Sequence, residues 1–247
     1  MVHENLTTAL KQAKPEIKDK LHVMDNFLGE ARIRELSQVP LLKTLTEVQM
    51  EHGDEDRFVS DLRDEKIATF INIGRFDYQK GHDRLIEAFT TVYQENPQTR
   101  LIIVAPHGPL REQTLALVNN SKAGKGIYIL GRMGNPYSLL AASDCFVLSS
   151  HYEGLGLVVY EALAVGISVV TVNLKETIGY LQNDEAIVVE NSQVGLVTGM
   201  KKYLQLEEPL NPFDFSRPLA RSKGQFEGLL NDESLGMSQE REVEIII

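Results

Sequence analysis

The sequence predicts an α/β fold, a doubly wound parallel sheet of about six strands, on three observations. Short β-rich runs alternate with segments of helical spacing through roughly 140 central residues, the pattern of strands joined by covering helices. Several runs, Leu101-Ile102-Ile103-Val104 above all, are apolar throughout, as strands covered on both faces are. Glycines and charged residues gather where the strands end, which is where open α/β sheets bind ligands.

Taken in order, 68–73 is a β-rich run closed by Gly74, and 83–93 places Leu85, Ile86, Ala88, Phe89 and Val92 on one helical face before Asn96-Pro97 stops it. Residues 100–105 read as the next strand, 110–118 as a helix, and 126–130 as a third strand. Pro136 opens a short helix over 136–142, since a missing N–H costs nothing in a first turn. Strands follow at 144–148, 168–172 and 186–189, with helices at 157–165 and 194–206 between and after them. The first 65 residues offer less: a helix at 6–14, a short strand at 20–24 and a second helix at 40–51, too little to bury a core alone.

The expected division is a leading segment 1–66, a sheet domain 67–206 and a C-terminal extension 207–247. Residues 47–66 hold eight acids against three bases, and 227–247 hold six against one, so both read as solvated or mobile segments.

Composition bounds the function. A net charge of −10 argues against nucleic acid as a general partner, because phosphate neutralisation needs clustered Lys and Arg. No stretch approaches the roughly 18–20 apolar residues of a membrane span, and the N-terminus lacks the basic-then-apolar order of a signal peptide. The single cysteine, Cys145, lies in an apolar strand, and reads as a small buried hydrophobe in a reducing, cytoplasmic protein.

Four strand exits carry chemistry. After the first comes Gly74-Arg75-Phe76-Asp77-Tyr78-Gln79-Lys80-Gly81, where a guanidinium fork and a lysine point charge suit a diphosphate, or form an ordinary turn with solvated cations. After the second comes His107, a solvated loop imidazole or a contact to phosphate or sugar. After the third, Gly131-Arg132-Met133 leaves room for a planar ring to approach the main chain, or is a plain strand-to-helix turn. After the fourth comes the most specific run, Glu153-Gly154-Leu155-Gly156-Leu157-Val158-Val159-Tyr160-Glu161. Glu153 stands at a strand exit, the glycines turn the chain, backbone N–H groups from Gly154 onward face outward at a helix start, and Glu161 follows about two turns on. Those groups fit, respectively, polar hydroxyls, an anion and the vicinal hydroxyls of a ribose. No His, Cys or acidic cluster has metal-ligand spacing, so no metal and no other cofactor is expected.

Over about 68–206 these motifs resemble the nucleotide-sugar-binding domain of the retaining GT-B glycosyltransferases (group 1, family four type), the family of glycogen- and sucrose-type synthases. The Asn135-Pro136-Tyr137 and Tyr152-Glu153-Gly154 wording also resembles enzymes of Gram-positive cell-wall polymers of the teichoic acid type. The resemblance implies a Rossmann-like domain forming the C-terminal half of a two-domain enzyme. It implies catalytic roles for Arg75 and Lys80 on the donor diphosphate and for Glu153 on the donor sugar. It implies donor-binding roles for Gly74, His107, Gly131, Arg132, Met133, Gly154, Leu155, Gly156, Leu157 and Val158, with Glu161 on the ribose. The donor is an NDP-sugar, by default UDP-linked, serving as substrate. The acceptor (a glycan, a polyol-phosphate polymer or a lipid-linked saccharide) is bound by an N-terminal domain of which 1–30 resembles only the tail. Any peripheral association with the inner membrane face comes through parts this sequence lacks, and the chain alone turns over weakly if at all.

Three departures from the family pattern stand out: His107 replaces an acidic residue, Ile167-Ser168 replaces the proline after Gly166, and 173–177 reads Asn-Leu-Lys-Glu-Thr in place of a Gly-Gly segment. They keep a second reading open, a non-catalytic subunit or nucleotide-binding module of the same fold. A nicotinamide enzyme is disfavoured because the first strand is not followed by Gly-x-Gly-x-x-Gly.

Overall fold

The computed structural model describes residues 28–230, so the segments expected at 6–14 and 20–24 lie outside the described residues. Contacts set Gly29–Phe213 apart as one compact unit, and the described residues from Asp214 onward belong to a second. Of the latter, a helix over Ser216–Leu230 is described; Asp214 precedes it and accepts from the Ser216 amide at 3.0 Å.

The main unit is built on seven strands: β1 (Met50–His52), β2 (Ala68–Ile73), β3 (Thr99–Val104), β4 (Ile127–Leu130), β5 (Cys145–Leu148), β6 (Ser168–Val172) and β7 (Ile187–Val189). Their order is β1-β4-β3-β2-β5-β6-β7. All neighbouring pairs are parallel except β1 with β4. The chain winds outward from β2 through β3 to β4, returns to β5 on β2's other side, and winds outward again. This is the doubly wound Rossmann-like order, and its reversal between β2 and β5 opens a crevice at their C-terminal ends.

Helices α1 (Glu30–Ser37), α2 (Leu41–Leu45) and α3 (Glu55–Asp61) precede β2. Then α4 (His82–Glu95), α5 (Arg111–Asn120), α6 (Tyr137–Ala141), α7 (Leu157–Val165), α8 (Lys175–Ile178) and α9 (Gln193–Leu204) connect or follow the parallel strands. The apolar face expected on α4 is fully buried, with Leu85, Ile86, Ala88, Phe89 and Val92 all inside. Phe70 of β2 meets Phe89 and Tyr203 edge-on at 6.4 and 5.6 Å, which ties α4 and α9 to the sheet centre. Cys145 is wholly buried, and burial pushes its thiol pKa far up, as befits an inert core residue.

Two expectations change. The helix expected over 40–51 is only Leu41–Leu45, after which the chain extends into β1 and pairs antiparallel with β4, Met50 opposite Leu130. A tertiary pairing partner overrides the local helical spacing there. The acidic stretch 47–66 is likewise structured: it contributes β1 and α3 to the compact unit, with Phe58 and Asp61 buried. Three of its acids start a helix. Asp54 caps α3 by accepting from the Arg57 amide at 2.8 Å, and Glu55 and Asp56 stand in the first turn where the helix dipole favours negative charge.

Candidate functional site

The crevice begins where the β2–β5 ladder stops. These strands pair only at Phe70–Cys145 and Ile71–Phe146, whereas β2 and β3 stay in register from Ala68–Thr99 to Ile73–Val104. Beyond the last pair the Asn72 amide bridges the gap, donating to the Val147 carbonyl at 2.8 Å while its Oδ1 lies 3.0 Å from His82 Nε2. Burial pushes the His82 pKa down to about 4, with the Lys80 charge adding to the effect. The floor of the crevice is therefore uncharged and held by hydrogen bonds.

Above it, the two exits meet. The β2 exit runs through a 3-10 turn over Tyr78–Lys80, and the β5 exit runs through Ser149, Ser150 and His151. Arg84 of α4 fastens the second exit, donating from Nε to the Ser149 carbonyl at 2.7 Å and from Nη2 to that of Ser150 at 2.6 Å. The His151 amide donates to the Gln79 carbonyl at 2.8 Å, and Tyr78 stacks on the His151 ring with centroids 4.5 Å apart. Lys80 Nζ then reaches Glu153 Oε1 at 2.7 Å, both side chains mostly covered. Ser150 Oγ donates to the same oxygen at 2.6 Å, and Gln79 Nε2 to Oε2 at 3.3 Å. Gly74 makes room for this arrangement: a Cβ there would lie 2.9 Å from Lys80 Cγ.

Past Glu153 the chain turns at Gly156, whose φ of 60° is left-handed and whose added Cβ would meet Thr177 Oγ1 at 2.5 Å. Glycine is required there on both counts. Helix α7 starts immediately after, and among the described residues the amides of Gly154, Leu155, Gly156, Leu157 and Val158 donate to no backbone carbonyl outside the helix. Glu161 sits on the second turn of α7, where burial raises its pKa, and the Tyr137 hydroxyl lies 3.5 Å from its Oε1.

The sequence-marked residues divide accordingly. Lys80 and Glu153 touch, Gly74 shapes their approach, and Gly154 to Val158 form the helix entrance. Arg75 is exposed at the β2 exit, and among the described residues its side chain has no hydrogen-bond or ion-pair partner. His107 is exposed too; its carbonyl accepts from the Phe76 amide at 2.8 Å, which binds the β2 and β3 exits together through the backbone. At the β4 exit Arg132 is exposed and Met133 buried, while the Gly131 amide is already committed to the Gln49 carbonyl at 2.9 Å. That N–H belongs to the sheet edge, so a ring approaching this turn would find other groups. Gln79, Ser150, Arg84 and Tyr137 escaped the sequence reading, although Gln79 and Ser150 stand beside the motifs they serve.

Such an arrangement sets an ammonium and a carboxylate at the mouth of the crevice, ahead of the α7 entrance, the groups that an anion and a hydroxyl-bearing ligand require. Residues 54–214 match the family described as glycosyl transferases group 1. The chain belongs to that family. It is 34% identical over 159 residues to an uncharacterized glycosyltransferase of Methanocaldococcus jannaschii, covering 64% of this chain and 35% of that protein. It is 28% identical over 138 residues to the N-acetylgalactosamine-N,N'-diacetylbacillosaminyl-diphospho-undecaprenol 4-alpha-N-acetylgalactosaminyltransferase of Campylobacter jejuni, covering 55% and 37% respectively. Among solved structures, Anabaena HepE in complex with UDP and glucose superposes with a TM-score of 0.68 at 16% identity, over 96% of this chain and 62% of that one. This group 1 chain thus matches little more than a third of the length of the two curated relatives, and the structural likeness establishes a shared fold. No described helix is long and apolar enough to cross a membrane.

Proposed function

We propose that the chain is the donor-binding half of a retaining glycosyltransferase, holding an NDP-sugar, with UDP as nucleotide, for transfer to an acceptor hydroxyl. The observation that carries this reading is the meeting of Lys80 and Glu153 at 2.7 Å in the β2–β5 crevice, a cation for phosphate beside a carboxylate for sugar hydroxyls. Arg75 and Lys80 take the diphosphate together with the α7 amides, Glu153 takes the sugar, and Glu161 takes the ribose. Charge developing on the leaving diphosphate is met by these fixed groups, a role for which preorganised donors are well suited. The acceptor, a glycan, polyol-phosphate polymer or lipid-linked saccharide of the cell envelope, is bound by a further domain. The Campylobacter relative, named for transfer to a diphospho-undecaprenol-linked saccharide, supports the lipid-linked member of that group.

Titration calorimetry with UDP and UDP-sugars tests the reading. Glu161→Ala and Arg75→Ala are each expected to weaken nucleotide binding by roughly tenfold, the loss of one charge-assisted contact. Absence of any binding to the unaltered chain at millimolar nucleotide would overturn it.

A further inference from the structure

We propose that the Lys80–Glu153 ion pair is a counter-ion latch that favours the sugar-bearing nucleotide over the free nucleoside diphosphate. This deepens the donor-binding reading above and rests on it. At the centre of the site the side chains pair with one another. Glu153 Oε1 accepts from Lys80 at 2.7 Å and Ser150 at 2.6 Å, and Oε2 accepts from Gln79 at 3.3 Å. Lys80 and Glu153 side chains are only 17% and 8% exposed, so solvent screens their interaction weakly. The lysine stem is also confined, running so close to Gly74 that a Cβ would lie 2.9 Å from Cγ and 3.0 Å from Cδ.

An arriving diphosphate therefore meets a cation whose charge is already offset by a carboxylate one hydrogen bond away. A ligand that carries a sugar removes the conflict. Its hydroxyls donate to Glu153 in place of Lys80, and the ammonium turns its full charge to phosphate. A ligand without the sugar must either share Lys80 with a facing carboxylate or leave Glu153 short of a donor, and both cost affinity. When the sugar has been transferred, Glu153 loses those hydroxyls, recaptures Lys80 and weakens the hold on the departing diphosphate. The pair thereby links sugar occupancy to phosphate affinity.

The test is Glu153→Gln, which keeps the shape and an acceptor oxygen while deleting the charge. Calorimetry of the full chain with UDP, and with inorganic pyrophosphate as a base-independent probe, is expected to show binding tightened about tenfold in the variant. The preference for UDP-glucose or UDP-N-acetylglucosamine over UDP is expected to shrink. A gain in affinity is a readout that damage to the fold does not produce. If the unaltered chain binds UDP or pyrophosphate and the variant binds them equally or more weakly, the latch is wrong and donor binding stands. If neither protein binds UDP, UDP-sugar or pyrophosphate at millimolar concentration, both ideas fall.

Discussion

At one end of the sheet Asp61 is enclosed by Arg100, Tyr128 and Arg57; at the other Glu153 meets Lys80, Ser150 and Gln79. The first cluster lies where β3 and β4 begin. Arg100 donates from Nε and Nη2 to Asp61, and from Nη1 to the carbonyls of Pro97 and Thr99 at 3.0 and 2.7 Å, so every guanidinium nitrogen is engaged. The second lies where β2 and β5 end, and Lys80 spends its ammonium on a single carboxylate, with exposed Arg75 close by in sequence. A saturated pair has no better partner to find and holds the fold. A pair with donors in reserve can exchange partners, which is what a binding site needs.

The largest expected effect lies at the saturated end. Arg100→Met removes the principal partner of Asp61 while Tyr128 and Arg57 remain, and urea unfolding should show a loss of about 3 kcal/mol, the lower end of the usual cost of breaking a buried pair. Nucleotide affinity should not change. A small stability loss, or a matching loss of binding, would erase the distinction between the two ends.

Acid should separate them next. Burial alone would raise the Asp61 pKa, but hydrogen bonds from Arg100 and Tyr128 and the charges of Arg100 and Arg57 outweigh it and hold the carboxyl below 3.8. Its stabilisation is thus complete above pH 3.8 and fades as pH falls through the lower folded value. His82 beneath the crevice acts earlier. It stays neutral in the fold down to about pH 4, while the unfolded chain takes up the proton below 6.5. Stability should fall between those two values, by up to about 3 kcal/mol, and His82→Asn should flatten that slope. Thermal unfolding across pH 4–7 gives the measurement, and an unchanged slope in the variant would place the titrating group elsewhere.

A smaller effect belongs to the α7 entrance. Gly156→Ala imposes a left-handed non-glycine residue against Thr177, a strain of about 1–2 kcal/mol in unfolding experiments. Because the same turn aims the α7 amides, nucleotide binding should weaken with it; stability loss with full binding would separate the turn from the site.

Much of this was legible in the residues themselves. Strands β2 and β6 and helix α7 fall where their β-branched runs and unbroken apolar stretch put them. Lys80 and Glu153 are marked by their residue types at strand exits, a cation and a carboxylate beside the glycines that turn the chain. What escaped was set by distant pairing. β1 is three residues long and takes its conformation from β4, some 80 positions on. Gln79 and Ser150 look like ordinary loop residues until Lys80 and Glu153, separated by 73 positions, are brought together. The excess of acid around residue 55 was visible, but its meaning as a helix start depended on Phe58 finding a buried site.

The short antiparallel strand has a practical consequence. Because Met50–His52 covers β4, a chain trimmed to begin at residue 67 would bare a row of unpaired amides and carbonyls along Ile127–Leu130. An open edge of that kind recruits other chains, so such a truncation should self-associate where a chain retaining β1 stays dispersed. Three residues within a stretch that reads as charged and solvated are the seam that keeps one copy of this sheet from growing into the next.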